Sequence, residues 1–206
     1  MKRIALLPIA FAAVLTFACN ADNRSSTDDS GTVGTTGAAV SAGDREFVEQ
    51  SMAGGMAEIE LGRLAMERSA NTEVKQFADM LVKDHSKAGE ELRQIAMRHS
   101  IPMPTAIDEE HQELKSKLST LKGPEFDREY MNAMVEGHED VVDRLQTRAS
   151  EDRFGDDKGS VRPEGSDNPV EADINQWAAG ALPTVRHHLD EARRVHDGLG
   201  RNLTRR

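Results

Sequence analysis

DREFVEQSMAGGMAEIELGRLAMERSANTEVKQFADMLVKDHSKAGEELRQIAMRH, residues 44–99, is the stretch that decides the fold. Phe47, Ser51, Gly54, Glu58, Leu61 and Ala65 follow one another in steps of three or four residues, and so do Val74, Phe77, Leu81, His85, Ala88, Leu92 and Ile95. Such steps stack side chains on one face of a helix. Each face is apolar or small except for one ionisable residue near its middle, Glu58 in the first and His85 in the second. The first helix is expected over Asp44–Ala70, with Ser41 or Asp44 as its cap. Gly54, Gly55 and Gly62 each weaken a helix by up to ~1 kcal/mol against Ala, and close approach of a neighbouring helix is the expected compensation. Asn71-Thr72-Glu73 starts the second helix with a cap and an acidic first turn. Pro102 and Pro104 stop it near His99. The break at Asn71 is short, so the two helices form an antiparallel hairpin.

Downstream, a shorter helix begins at Thr105-x-x-Asp108, with Ile107, His111, Leu114, Leu118 and Leu121 along one face. Gly123-Pro124 ends it and opens a fourth helix to Ala149, with Tyr130, Met134, His138, Val141 and Leu145 inward. Glu151 to Asn168 is rich in glycine and charge and reads as a mobile insertion. Asn168-Pro169 starts a fifth helix to Leu199, whose inner face carries Ile174, Trp177, Ala181, Val185, His188, Ala192 and Val195. Pro183 lies inside it and is expected to kink it. The short helix, at 1.5 Å per residue, covers about 22 Å and can return the chain to the other end of a bundle. The expected architecture is therefore all-α: a ferritin-like four-helix bundle with a shorter crossover helix, over residues 44–200.

The chain has 206 residues and a net charge of −10. No basic stripe is available to neutralise phosphates, which argues against a nucleic-acid partner. At the N-terminus, Lys2 and Arg3 precede an apolar run from Ile4 to Ala18, too short for a membrane span of about 20 residues. Residues 1–18 read as an export signal. Leu15-Thr16-Phe17-Ala18-Cys19 is similar to a bacterial lipoprotein cleavage box, with the lone cysteine, Cys19, as the lipidated first mature residue. Thr16 and Phe17 depart from the usual pattern, so ordinary cleavage nearby is the alternative. One cysteine excludes an internal disulfide framework. Residues 19–43 are small and polar and form a flexible tether. The expected address is the periplasm or cell envelope, with the membrane as a partner through the anchor, and a second copy or an envelope protein as a further partner.

Position along the helices brings four polar residues to one level. Glu58 precedes the hairpin turn by about as many residues as His85 follows it, and His138 and His188 lie midway along their own helices. At 1.5 Å per residue the height differences are a few ångströms. Buried polar groups need partners. Two readings stay open: a hydrogen-bonded polar cluster, or a single transition metal ion (zinc, copper, nickel or iron) held by Glu58, His85, His138 and His188. Asp84 is either an outer partner that orients a ligand or a solvated charge. Asp108 and His111 have the spacing of a one-turn ligand pair, although packing over the bundle is the simpler reading. His99, His187 and His196 fall off the apolar faces and are expected in solvent. Met52, Met56, Met66, Met80, Met97, Met131 and Met134 recur at helical spacing and read as core.

Gly54-Gly55-Met56-Ala57-Glu58-Ile59-Glu60-Leu61-Gly62, Val74-Lys75-Gln76-Phe77-Ala78, Asp84-His85, Phe126-Asp127-Arg128-Glu129-Tyr130-Met131, Met134-Val135-Glu136-Gly137-His138 and Leu182-Pro183-Thr184-Val185-Arg186-His187-His188-Leu189 together resemble the bacterial exported domain of unknown function family 4142. The resemblance runs from Asp44 to Gly198. It implies an exported, ferritin-like helical domain of unassigned activity, with recurring polar positions at Glu58, Asp84, His85, His138 and His188. Glu151 to Asn168 is longer than the family's turn. Carboxylate-bridged di-iron sites pair Glu-x-x-His on two helices; here Val82, Val135 and Val185 stand three residues before the histidines, which argues against a di-iron centre. No Gly-x-Ser-x-Gly elbow is present. The sequence thus favours a non-catalytic, anchored helical domain that binds a partner or serves stress tolerance. A mononuclear metal-binding protein is the alternative, and a metal-dependent enzyme the third.

Overall fold

The computed structural model describes residues 38–151 and 161–203. Five helices follow in order: α1 (Ala42–Arg68), α2 (Thr72–Arg98), α3 (Glu109–Thr120), α4 (Gly123–Gln146) and α5 (Pro169–Leu203). Two short strands, β1 (Ala149–Glu151) and β2 (Val161–Pro163), lie between α4 and α5 and pair antiparallel, Ser150 opposite Arg162. The export signal, Cys19 and the tether as far as residue 37 lie outside the described residues. No described helix is long and apolar enough to cross a membrane.

Local chemistry sets the helix starts. Ser41 Oγ accepts a hydrogen bond from the Asp44 amide at 3.0 Å, and Asn71 Oδ1 accepts from the amides of Glu73 and Val74. Asp108 caps α3, and Asn168 Oδ1 accepts from the Val170 amide. These bonds satisfy amides that a helix start leaves without partners. Gly123 opens α4 with a φ of +54°, a left-handed conformation that costs glycine little. Pro124 follows in the first turn, where its missing N–H is no loss.

The four long helices bury their inner faces in two apolar clusters. One joins the start of α1 (Phe47, Val48), the end of α2 (Leu92, Ala96), the end of α4 (Leu145) and the start of α5 (Ile174, Ala178). The other joins the end of α1 (Leu61, Ala65), the start of α2 (Val74, Phe77, Leu81), the start of α4 (Phe126, Tyr130) and the end of α5 (Ala192, Val195). Hence α1 runs parallel to α5 and antiparallel to α2 and α4. The crossover α3 makes this possible, and Lys115 Nζ, 2.7 Å from Glu60 Oε2, fastens it to α1. The level between the two clusters holds the polar residues.

Glycine plays two roles here. A methyl group at Gly62 would stand 2.8 Å from Val82 Cγ2 and 3.1 Å from the Ala78 carbonyl oxygen, so α1 and α2 touch there. At Gly54 the same methyl group would meet nothing within 4 Å. The close approach expected of Gly54 is absent, because Gly54 faces a cavity.

Several boundaries differ from the sequence expectation. The tether ends early: Ala38 and Val40 pack against the first cluster, and α1 begins at Ala42. Helix α4 stops at Gln146 rather than Ala149. Arg148 turns back there, its Nη1 2.7 Å from Asp44 Oδ1 and its guanidinium 4.9 Å from the Phe47 ring centroid. Ala149 is thereby buried and starts β1. Within the expected mobile insertion, 151–168, Val161–Pro163 is instead strand, held by pairing with β1; residues 152–160 lie outside the described residues. Helix α5 continues through Pro183 without a break. Of the methionines read as core, Met131 and Met134 are buried, whereas Met97 is 58% exposed, its sulfur accepting from Arg93 Nη1 on the outer surface.

Candidate metal centre

Each long helix sends one polar side chain to the middle level. Glu58 of α1 is 7% exposed, His138 of α4 is fully buried, and His188 of α5 is 1% exposed. His85 of α2 is half-buried at residue level, its ring mostly covered. The three imidazoles form a triangle, with ring centroids 5.9 Å (His85 to His138), 5.3 Å (His85 to His188) and 5.5 Å (His138 to His188) apart. The Glu58 carboxylate closes the group, Oε2 lying 2.7 Å from His85 Nε2 and Oε1 3.5 Å from His138 Nδ1.

Outer partners fix the ring orientations. His138 Nδ1 lies 2.8 Å from the Met134 carbonyl oxygen. A carbonyl only accepts, so Nδ1 carries the proton and Nε2 the lone pair. His188 Nε2 lies 2.9 Å from Asp84 Oδ2. The same logic puts its lone pair on Nδ1. Both lone-pair nitrogens are buried without a hydrogen-bond partner, as is His85 Nε2. His85 Nε2 is close to Glu58, but the contact lacks the alignment of a hydrogen bond, so we read it as a charge contact. Asp84 is thus placed as an outer partner of His188, with its own side chain 42% exposed.

Charge follows from this packing. Burial opposes ionisation of Glu58, but His85 and His138 beside it outweigh burial and hold its carboxyl at about 2. Burial also pulls His85 down, yet the Glu58 charge prevails and raises it above its ordinary value. Burial carries His188 down to about 4 against the pull of Asp84. The cluster therefore combines an ionised carboxylate with a neutral His188 whose inner nitrogen is unprotonated at neutral pH.

These features fit a metal ion. One ring nitrogen from each of His85, His138 and His188 lies within 4.8 Å of the other two. Bonds of about 2.0–2.1 Å in a tetrahedral site place nitrogens roughly 3.4 Å apart, so side-chain rotation of up to about 1.4 Å gathers them. A carbonyl and a carboxylate on the far ring nitrogens are the usual outer support of histidine ligands. His138 Nε2 and His188 Nδ1 are otherwise buried polar atoms with nothing to bond.

The other candidates do not join this group. His111 Nδ1 is 2.7 Å from Asp108 Oδ2 and its amide bonds the same carboxylate; the pair caps α3, with Asp108 exposed and His111 half-buried. His99 is not free in solvent: its Nε2 lies 2.7 Å from Asp173 Oδ2 and its ring is largely covered. His187 is exposed, its ring 6.5 Å from that of His188 but on the outer side of the triangle's buried rings, and His196 is half-buried beside Asp197.

A cavity of about 510 Å³ reaches the cluster. Glu58, Asp84, His85 and His188 lie at its inner end, and Gly54, Ala181 and Trp177 belong to its walls. Sequence periodicity marked Gly54, Ala181 and Trp177 as inner-face residues but carried no sign that they border a space. The Met134 carbonyl was equally invisible, because every residue has one.

No curated protein matches the chain. Among solved structures, CopM in the Cu(II)-bound form is similar, with a TM-score of 0.54 at 15% identity, over 75% of this chain and 96% of that one. That likeness is one of fold. The family model described as domain of unknown function (DUF4142) matches residues 31–156, more than half of the sequence, and the chain belongs to that family.

Proposed function

We propose that the protein is an exported, non-catalytic binder of a single transition metal ion, held by His85, His138, His188 and Glu58. The observation that carries this reading is a pair of buried imidazole nitrogens without partners, His138 Nε2 and His188 Nδ1, beside His85, whose Nε2 lies 2.7 Å from the Glu58 carboxylate. Three imidazoles and a carboxylate suit copper, zinc, nickel or iron, and Cu(II) heads the affinity order for such donors. A protein of similar fold has been captured with Cu(II), which favours copper as the first ion to try. The positive start, apolar run and Cys19 support export and lipid anchoring, which would place the site in the cell envelope. The alternative, a metal-free polar cluster in a partner-binding domain, accounts for His85 through Glu58 but leaves His138 Nε2 and His188 Nδ1 unexplained.

Metal content decides between them. The described domain, dialysed against Cu(II) or Zn(II) and then against metal-free buffer, should retain about one ion per chain. A His85→Ala/His138→Ala/His188→Ala variant that keeps its helical circular dichroism should retain none. Retention near zero for copper, zinc, nickel and iron in the wild type would overturn the proposal. Labelling with radioactive palmitate in a bacterial host, present in wild type and absent in Cys19→Ala, checks the anchor.

A further inference from the structure

The cavity beside the cluster has chemistry of its own. Its volume, about 510 Å³, falls in the range of sites for small organic molecules. Its walls include small and apolar residues, Gly54, Ala88, Ala181, Val185 and the indole of Trp177, beside polar ones such as Ser51 and Thr184. Trp177 is held by its Nε1, which donates to the Ala88 carbonyl at 3.1 Å, and by an edge contact with Phe47 at 6.1 Å. The indole is thus a fixed surface and not a filling side chain. A methyl group at Gly54, on the half-buried side of α1, would meet nothing within 4 Å, which agrees with open space there.

The inner end is asymmetric. His85, His188 and Glu58 border the cavity, whereas fully buried His138 does not. A molecule in the cavity therefore reaches the cluster from the side opposite His138. That end already carries two carboxylates, Glu58 and Asp84; of the basic residues that line the cavity, Arg98 and Arg144 lie on other turns, and Lys87, three residues after Asp84, pairs with Glu91 at 4.0 Å. A divalent ion held by the cluster would balance these two carboxylates, so a neutral nitrogen donor suits that end.

We propose that the cavity receives a small aromatic nitrogen base, its apolar body against Trp177 and its neutral donor nitrogen aimed at the ion held by the histidines. This rests on the metal reading above and extends it: the outside nitrogen would add to the four protein ligands as a fifth, an expansion that such centres allow.

Trp177 is the single tryptophan of the chain, so its emission reports on the cavity directly. The test uses the full chain and 4-phenylimidazole as probe. Metal content is measured first on each sample; failure to load metal sinks the earlier reading. In Zn(II)-loaded protein, the probe should change Trp177 emission saturably. In Cu(II)-loaded protein, it should shift the visible absorption band over the same concentration range. Gly54→Leu, whose side chain grows into the cavity, should weaken the probe by about tenfold or more while retaining metal. Loaded protein that shows no saturable change overturns this inference alone. So does a probe affinity in Gly54→Leu equal to wild type, or an emission change with an unmoved copper band.

Discussion

At the scale of single residues, the candidate centre depends less on the three imidazoles than on what holds them. Met134 O and Asp84 Oδ2 take the outer N–H of His138 and His188, leaving each inner lone pair free. Removing such a partner costs a metal site about 10–100-fold in affinity without touching a ligand. Asp84→Asn should therefore weaken metal binding by about that factor, measured by competition with a chelator of known affinity, with helical content unchanged. An affinity equal to wild type would show that Asp84 is only a surface charge. Sequence periodicity was enough to turn Glu58, His85, His138 and His188 inward, since each interrupts an apolar face. It could not pair Asp84 with His188, because that contact depends on how α5 is rotated against α2. For the same reason His99 read as solvated, although Asp173 of α5 covers it.

At the scale of elements, the glycines of α1 separate two causes that look alike in sequence. Gly62 touches α2, and a methyl group there must displace Val82 or the backbone at Ala78. Gly62→Ala should destabilise by about 1–3 kcal/mol, the usual cost of overpacking. Gly54 borders open space, so Gly54→Ala should gain up to about 1 kcal/mol of helix propensity. Urea unfolding of the two variants beside wild type reads both signs. The end of α4 was illegible for a different reason. Helical spacing continues to Ala149, but Arg148 is drawn to Asp44, a partner 104 residues away. Burial of Asp44 opposes its charge, yet Ser41 and Arg148 outweigh burial and keep its carboxyl below the ordinary value near 3.8. A carboxyl depressed in the folded state stabilises above its ordinary value, and that stabilisation is lost as pH falls through the folded value. Arg148→Met should be less stable than wild type at pH 7, and the difference should shrink when unfolding is followed below about pH 4.

At the scale of the whole molecule, the polar level is bracketed by two apolar clusters, each drawing on all four long helices. The halves of the bundle are therefore joined above and below the site, and folding does not wait for the ion. This differs from small zinc domains, which are unfolded until metal arrives. The crossover α3 is the topological source of the arrangement: by returning the chain it sets α4 antiparallel to α1 and brings His138 to the level of Glu58. Two consequences follow for the metal-free protein. It should unfold cooperatively, and it should keep its helices in excess chelator. An ion that binds only the folded form then adds stability by mass action, about 4 kcal/mol at a free concentration 1,000 times the dissociation constant. For a domain of this size each kcal/mol raises the melting temperature by roughly 2–4 °C, so Cu(II) or Zn(II) at that excess should raise it by about 8–16 °C. Chelator should reverse the rise, and the triple-histidine variant should not show it. Scanning calorimetry with and without metal measures the shift. A melting temperature indifferent to every one of these ions would mean that the three nitrogens meet for packing alone, whereas a chain that loses its helices on chelation would mean that the two clusters do not carry the fold.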